Sequence, residues 1–220
     1  MNRAVRFYRS AIGKKVVMAV TGLIGIAFLV GHVAGNLLAF RGSEALNAYS
    51  AFLKSTGELL WIVRIVLITA VILHVIAAYH LTIQNRAARP ISYSRREPQV
   101  STIASRTMRW GGALLLIFII IHILHFTTGT IRPTGLFSPT DVYGNVIGSF
   151  RIWWVSLFYI ISMIALGAHI YHGAWSSVRT IGIAQPSPNQ LHRRVALALA
   201  LLLWLGFTAV PAGVLLGLIR

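Results

Sequence analysis

Apolar residues run almost unbroken over Val16–Phe40, Leu59–Gln84, Trp110–Thr130, Ile152–Val178 and Val195–Leu218, and polar residues crowd the stretches between them. Each run can cross a bilayer, since about 20 residues at about 1.5 Å each cover the hydrocarbon. All five are predicted helices, because hydrocarbon offers no partner to an unpaired backbone amide. Pro211, in the fifth, should kink that helix or mark its fraying end. Ser43–Lys54 (SEALNAYSAFLK) reads as a short interfacial helix with Ser43 as its cap. The stretch TGTIRPTGLFSPTDVYGNVIGS, between the third and fourth runs, reads as a loop punctuated by glycine and proline. With no internal repeat, low-complexity tract or linker, residues 1–220 form a single transmembrane domain of all-α class.

Composition supports this and narrows it. The chain is 56% hydrophobic and 11% charged, with mean hydropathy +0.74, outside the range of soluble domains. The basic amino-terminal segment (Arg3, Arg6, Arg9, Lys14, Lys15) leads straight into a full-length span, so no cleavable signal is expected. The absence of cysteine excludes disulfides, thiolate metal sites, iron–sulfur ligation by this chain and thioether-linked haem.

A net charge of +16 would suggest nucleic acid in a soluble protein. Here it belongs to topology and to anionic lipid, and no nucleic-acid partner is expected. The connections alternate in charge. One side holds Arg3, Arg6, Arg9, Lys14, Lys15, Arg86, Arg89, Arg95, Arg96, Arg106, Arg109, Arg179, Arg193 and Arg194. The other holds only Arg41, Lys54, Arg64, Arg132, Arg151 and Arg220. The positive-inside rule therefore puts the amino terminus in the cytoplasm and the carboxy terminus outside. The basic loop after the second run, with Arg89-Pro90 and Glu97-Pro98, is large enough to dock a partner.

Each of the first four runs carries histidine: His32; His74 and His80; His122 and His125; His169 and His172. The fifth carries none, and His192 reads as a solvated residue of the last connection. A single buried histidine with a hydrogen-bond partner needs no special explanation, but ionisable rings in four consecutive spans point to ligands. Alternating topology gives their depth. His32 and His122 each lie eight residues before the outer end of their run, about 12 Å below the outer rim. His74 and His169 each lie ten residues from the inner end, about 15 Å above the inner rim. The runs thus pair first with third and second with fourth. One imidazole from each of two facing helices suits the two axial ligands of a b-type haem, so two levels imply two haems.

His122 and His125 are three residues apart, as are His169 and His172, so each pair shares a helix face. Two rings on one face cannot take opposite sides of one iron. One member of each pair therefore stands behind the ligand, bonded to a propionate, a water or a quinone. Depth favours His122 over His125 without deciding it. Gly31 and Gly35 strip the helix surface around His32 where a flat group could lie. A zinc or di-iron site would want carboxylates, and Glu44, Glu58, Glu97 and Asp141 all stand outside the span interiors. No GxSxG, HExxH or P-loop pattern is present, so chemistry here belongs to a cofactor. A haem-free scaffold or transporter with hydrogen-bonded histidines is the alternative of a different class.

These residues also resemble a known family. SAIGKKVVMAVTGLIGIAFLVGHVAGNLLAF is similar to the first helix of the dihaem cytochrome b membrane anchors of succinate:quinone oxidoreductases, the five-helix single-polypeptide type. NAYSAFLKSTGELLWIVRIVLITAVILHVIAAYHLTIQNRAARP looks like the second helix with its flanks. RTMRWGGALLLIFIIIHILHF and GAHIYHGAWSSV look like the third and fourth. The resemblance implies ligation of an outer haem b by His32 and His122 and of an inner haem b by His74 and His169. It implies a flavoprotein subunit and an iron–sulfur subunit docked at the cytoplasmic face of a bacterial membrane, with higher oligomers of the complex open. Electrons would pass through the inner and then the outer haem to a quinone, menaquinone being the expected one, or in reverse in a fumarate reductase. Lys14, Lys15, Arg109 and Arg179 become candidates to neutralise propionates, and Glu44, Glu58, His125 and His80 candidates for the quinone site. The cytochrome anchors of hydrogenases and formate dehydrogenases share such a bundle but not the GKKVVMAVTGL…GHVAGN segment.

Overall fold

The computed structural model describes residues 2–88, 102–183 and 191–220. The Arg89-Pro90 and Glu97-Pro98 motifs, with Arg95 and Arg96, lie outside the described residues. Among the described residues the chain is helical and has no strand: α1 (Arg3–Arg9), α2 (Ala11–Leu37), α3 (Ser43–Ser55), α4 (Glu58–Ala87), α5 (Ile103–His122), α6 (Val142–Phe150), α7 (Trp153–Thr180) and α8 (Leu191–Leu215). Five stretches are long and apolar enough to cross a membrane: α2 with its terminal turn, α4, α5 with its terminal turn, α7 and α8. Their surfaces expose Ile62, Ile65, Ile72, Leu202 and Leu205, an apolar surface that only lipid or another protein would cover.

At the basic end the helices outrun the apolar runs, beginning at Ala11, Ile103 and Leu191 rather than at residues 16, 110 and 195. The extra turns carry Lys14, Lys15, Arg106, Arg109, Arg193 and Arg194, which continue a helix readily once it leaves hydrocarbon. Side chains close two of these starts. Ser10 Oγ accepts from Gly13 N at 2.9 Å, and Thr102 Oγ1 accepts from Ser105 N at 3.1 Å, each satisfying an orphan amide. At the opposite end α2 tightens into a 3₁₀ turn, Leu38–Arg41, and stops at Gly42 with φ 93°, a conformation open to glycine. Pro211 lies inside α8, which runs on to Leu215.

Three local expectations need correction. Gly42 rather than Ser43 precedes α3 as its cap; Ser43 is the first helical residue. The stretch read as a loop contains α6, capped by Asp141, whose Oδ1 accepts from Gly144 N at 2.9 Å. His192 stands in the first turn of α8 rather than in a loop. Gly144 and Gly148 hid α6 from a propensity reading, although the Asp141 cap was legible.

Helices α2 and α7 form the centre. α2 packs on α4, α7 and α8, while α7 packs on α2, α5 and α8. α4 and α5 stand on opposite flanks, each held along one side. The seam between α2, α7 and α8 buries Val33, Ile170, Ala200 and Leu203. A second cluster, around Ala39, Leu46, Ile147, Phe150 and Tyr159, sits beneath α3 and α6 at the end away from the basic loops. Asn47 ties these two short helices, donating from Nδ2 to Asp141 Oδ1 at 2.9 Å and accepting from Tyr143 N at 2.9 Å. The Lys54 ammonium donates to the Pro139 carbonyl. The Gly144 amide and the Asn47 side chain hold the Asp141 carboxyl below its usual range, so this tie is strongest while that carboxylate is ionised.

Candidate functional site

The eight histidines do not spread evenly through this bundle. His32 on α2 faces His122 on α5, with ring centres 5.9 Å apart and planes at 82°. His74 on α4 faces His169 on α7, with ring centres 6.1 Å apart and planes at 53°. Neither α2 with α5 nor α4 with α7 is among the closely packed helix pairs. The imidazoles therefore reach toward each other across two gaps that the backbones leave open.

The neighbours of each pair fix its level. At the first, Thr21 and Gly22 of α2 adjoin His74, and a Cβ on Gly112 of α5 would lie 3.8 Å from His169 Cε1. At the second stand His32, His122, Tyr159 of α7 and Phe207 of α8. The two levels lie ten or eleven residues apart on α2, α5 and α7, which is about 15 Å.

Local sequence shapes each ring's surroundings. His32 stacks on Phe28 (5.1 Å, 16°), and His122 stacks on Phe118 (5.5 Å, 28°). Each phenylalanine lies one turn back on the same helix, where i and i+4 side chains meet. His74 is oriented across helices. Thr21 Oγ1 donates to Val17 O at 2.7 Å, so its single proton is committed. His74 Nδ1, 3.1 Å from that oxygen, must then be the donor, which leaves Nε2 as a bare lone pair, the form a metal takes. Gly22 makes the approach possible, since a Cβ there would already touch His74 Cε1 at 3.4 Å.

Two imidazoles bonded to opposite sides of one metal at about 2 Å each hold their ring centres on the order of 6 Å apart. Both observed separations have that size. His122 Nδ1 and His169 Nδ1 are buried without a hydrogen-bond partner, an arrangement that costs stability unless something compensates. Gly25, on the face of α2 that carries His32, has open space where a Cβ would stand. Among the described residues no three His, Asp or Glu side chains converge; the imidazoles meet in twos. The residues present fit a flat bis-imidazole group at each level.

His125 is placed differently from His122. A π-helical turn, Ile123–Thr127, closes α5, and it turns His125 away from α2 toward α6 and α7. There the ring is 4% exposed. Its Nδ1 lies 3.0 Å from the Tyr159 hydroxyl and its Nε2 2.8 Å from the Ser149 hydroxyl, and Phe126 stacks on it at 3.9 Å. Both nitrogens are occupied by protein groups. His172 leaves Nδ1 buried and unpartnered, with Trp175 at 5.4 Å.

The remaining candidates scatter. Gly31 is exposed and faces open space, whereas a Cβ on Gly35 would stand 2.5 Å from Tyr49 Cε1. The bareness expected to admit a flat cofactor at Gly35 instead admits the ring of Tyr49 from α3. Glu44 and Glu58 are exposed in the first turns of α3 and α4, where an acid favours the helix dipole. Lys15 and Arg109 are exposed at the basic end, and Arg179 lies over the Trp175 ring at 5.6 Å. Lys14 is buried and donates to Arg9 O at 2.8 Å. His80 meets Tyr8 of α1, Nδ1 to hydroxyl 3.4 Å.

The sequence reading passed over Thr21, Gly22, Phe28, Phe118, Tyr159 and Phe207. A signal for some of them was present. Both histidines of one level follow a phenylalanine by four residues (Phe28/His32, Phe118/His122), and both of the other follow an alanine (Ala70/His74, Ala165/His169). The chain matches no family model, no curated protein and no solved structure.

Proposed function

We propose that this chain is the dihaem cytochrome b anchor of a succinate:quinone oxidoreductase, seated in a bacterial cytoplasmic membrane with its basic end and amino terminus in the cytoplasm and its carboxy terminus outside. One observation carries the reading: two imidazole pairs meet across two interhelical gaps, at levels about 15 Å apart. His74 and His169 would hold the inner haem b, and His32 and His122 the outer. Bound there, the haems supply one-electron transfer between soluble subunits and a quinone.

The chain's own residues do the rest. Thr21 presents His74 in one tautomer, and Phe28 and Phe118 fix the planes of the outer rings. The packed α2–α7 pair keeps the flanking helices at constant spacing. The apolar shell excludes water and holds each group without a covalent link. The arginines and lysines of the basic end set orientation and offer a docking face to the flavoprotein and iron–sulfur subunits. At the far end Glu44 and Glu58 are the exposed acids near which a quinone, menaquinone being the expected species, could exchange protons. His80 is the corresponding candidate at the basic rim. His125, with both nitrogens occupied, serves the reading as a brace.

The test is spectroscopic. The chain purified from membranes, reduced with dithionite, should show a sharp α-band, with haem b approaching two per chain and flavin co-purifying. No α-band overturns the reading. Haem with a flavin-free soluble partner moves it to the hydrogenase or formate dehydrogenase anchors.

Thr21 gives a finer prediction. Thr21→Val keeps the volume but removes the acceptor of His74 Nδ1–H, so affinity for the inner haem should fall by about 10–100-fold, with the outer haem unchanged. Thr21→Ser should restore it. Haem titration into the apo chain, followed by its spectrum, reads this without any turnover.

A further inference from the structure

Arg64 lies nearly two turns inside α4 (Glu58–Ala87), a helix long and apolar enough to cross the membrane. A charge at such a position is costly unless it is paired. Around it α4 turns an apolar surface outward, for Ile62, Val63, Ile65 and Val66 are all exposed. Arg64 is half-buried, and so are Leu67, Val71, His74, Ala78 and Leu81. Their alternating steps of three and four residues follow one face of the helix, so Arg64 shares the inward face that carries His74. Its height follows from a contact. Gly22 of α2 adjoins His74. Away from the basic end, His32 lies ten residues beyond Gly22 on α2, and Arg64 lies ten residues from His74 on α4. Both steps are about 15 Å. Arg64 therefore stands level with the His32–His122 pair.

Among the described residues the guanidinium has one contact, the face of the Trp61 ring at 5.0 Å. No carboxylate or hydrogen-bond acceptor of those residues meets it. Asp141 is engaged by Asn47 and Gly144, while Glu44 and Glu58 are exposed in the first turns of α3 and α4. Glu97 follows the other end of α4, which is 23 residues, about 35 Å, from Arg64. A full charge and five N–H donors thus face the bundle interior without an anion. On α2, Asn36 lies one turn past His32 on the same face. It is half-buried, and its carboxamide has no partner among the described residues.

We propose that Arg64 is the counter-ion of a carboxylate carried by the group between His32 and His122. Resting on the proposed function, that carboxylate is a propionate of the outer haem, and Asn36 is a further donor to it. A guanidinium takes a carboxylate through two parallel hydrogen bonds, a geometry an ammonium does not reproduce. The inward stripe selects this occupant over a lipid phosphate. Trp61, one turn nearer the helix start, covers the side of the guanidinium turned toward the membrane surface.

The test titrates the full chain, stripped of haem, with haem b and separately with its dimethyl ester, whose carboxylates are blocked. The reduced spectrum gives occupancy, and a reductive titration tells which level is filled. Arg64→Gln should weaken haem b at the outer level by about tenfold or more and leave the inner level unchanged. The ester should bind the outer level of the parent more weakly than haem b does, and Arg64→Gln should then cost less than about twofold. Arg64→Lys should fall between the parent and Arg64→Gln, since it keeps the charge and loses the fork. The ester arm uses the unaltered chain, so it stands even if a variant folds poorly. Two haems in the parent with no loss on Arg64→Gln would overturn this assignment and leave the proposed function in place. Equal losses for haem b and its ester would overturn it too, because Arg64 would then act through packing alone. A parent chain that takes up no haem overturns the proposed function, and this assignment with it.

Discussion

On the proposed function, His74→Ala and His169→Ala should remove one and the same b haem, and His32→Ala and His122→Ala the other. Each single variant should retain one haem where the parent is expected to hold two, and the wave lost from a reductive titration should be shared within each pair. The reason is geometric. His74 meets only His169 among the ligand candidates, at 6.1 Å, and His32 meets His122 at 5.9 Å. The sequence has no cysteine to tie such a group to the chain, so loss of one histidine would leave it held by a single imidazole. Added imidazole should partly restore the missing spectrum, because truncation leaves a hole of that shape in an otherwise packed site. A variant that had merely misfolded would not respond. If His32→Ala and His74→Ala remove the same wave, the two-level arrangement is wrong.

How far this arrangement could be read from the sequence depends on the kind of force involved. The five spans were legible because hydrophobic burial is non-directional and leaves its mark in every residue of a run. The levels were legible too, because rise per residue is fixed and alternating topology turns position into height. Contacts that depend on direction were not. Thr21 reads as one more polar residue in an apolar run until α4 brings His74 within 3.1 Å of it. Gly35 and Gly22 look equivalent in sequence, yet one admits Tyr49 and the other His74. The short helix α1 was hidden in a run of arginines that reads equally well as a topology signal. The π-turn at Ile123–Thr127 has no periodic signature at all, and His125 lies within it with its ring against Tyr159 and Ser149.

That turn leads to the second large expectation. His125→Ala should keep both haems and lower stability, the reverse of what a ligand substitution does. The ring it removes is 4% exposed, stacks on Phe126 at 3.9 Å and joins α5 to α6 and α7 through Ser149 and Tyr159. Truncation opens a cavity and strips two buried hydroxyls of their partner. Interhelical hydrogen bonds in membranes are each worth about 0.6–2 kcal/mol, and a void of ring size adds more, so about 2–4 kcal/mol is expected in all. Tyr159→Phe, which deletes one bond and keeps the ring, should cost about 1 kcal/mol. Combining the two should give less than their sum, because both break the same link. Thermal unfolding of the purified chain reads the loss, and the reduced spectrum of the same samples reads the haems. His125 belongs to the brace if the melting temperature falls while both spectral waves persist. If His125→Ala instead removes the outer wave and His122→Ala leaves it, the ligand on α5 is His125. The π-turn would then have to unwind by one residue when the haem binds, swinging that ring from Tyr159 toward His32.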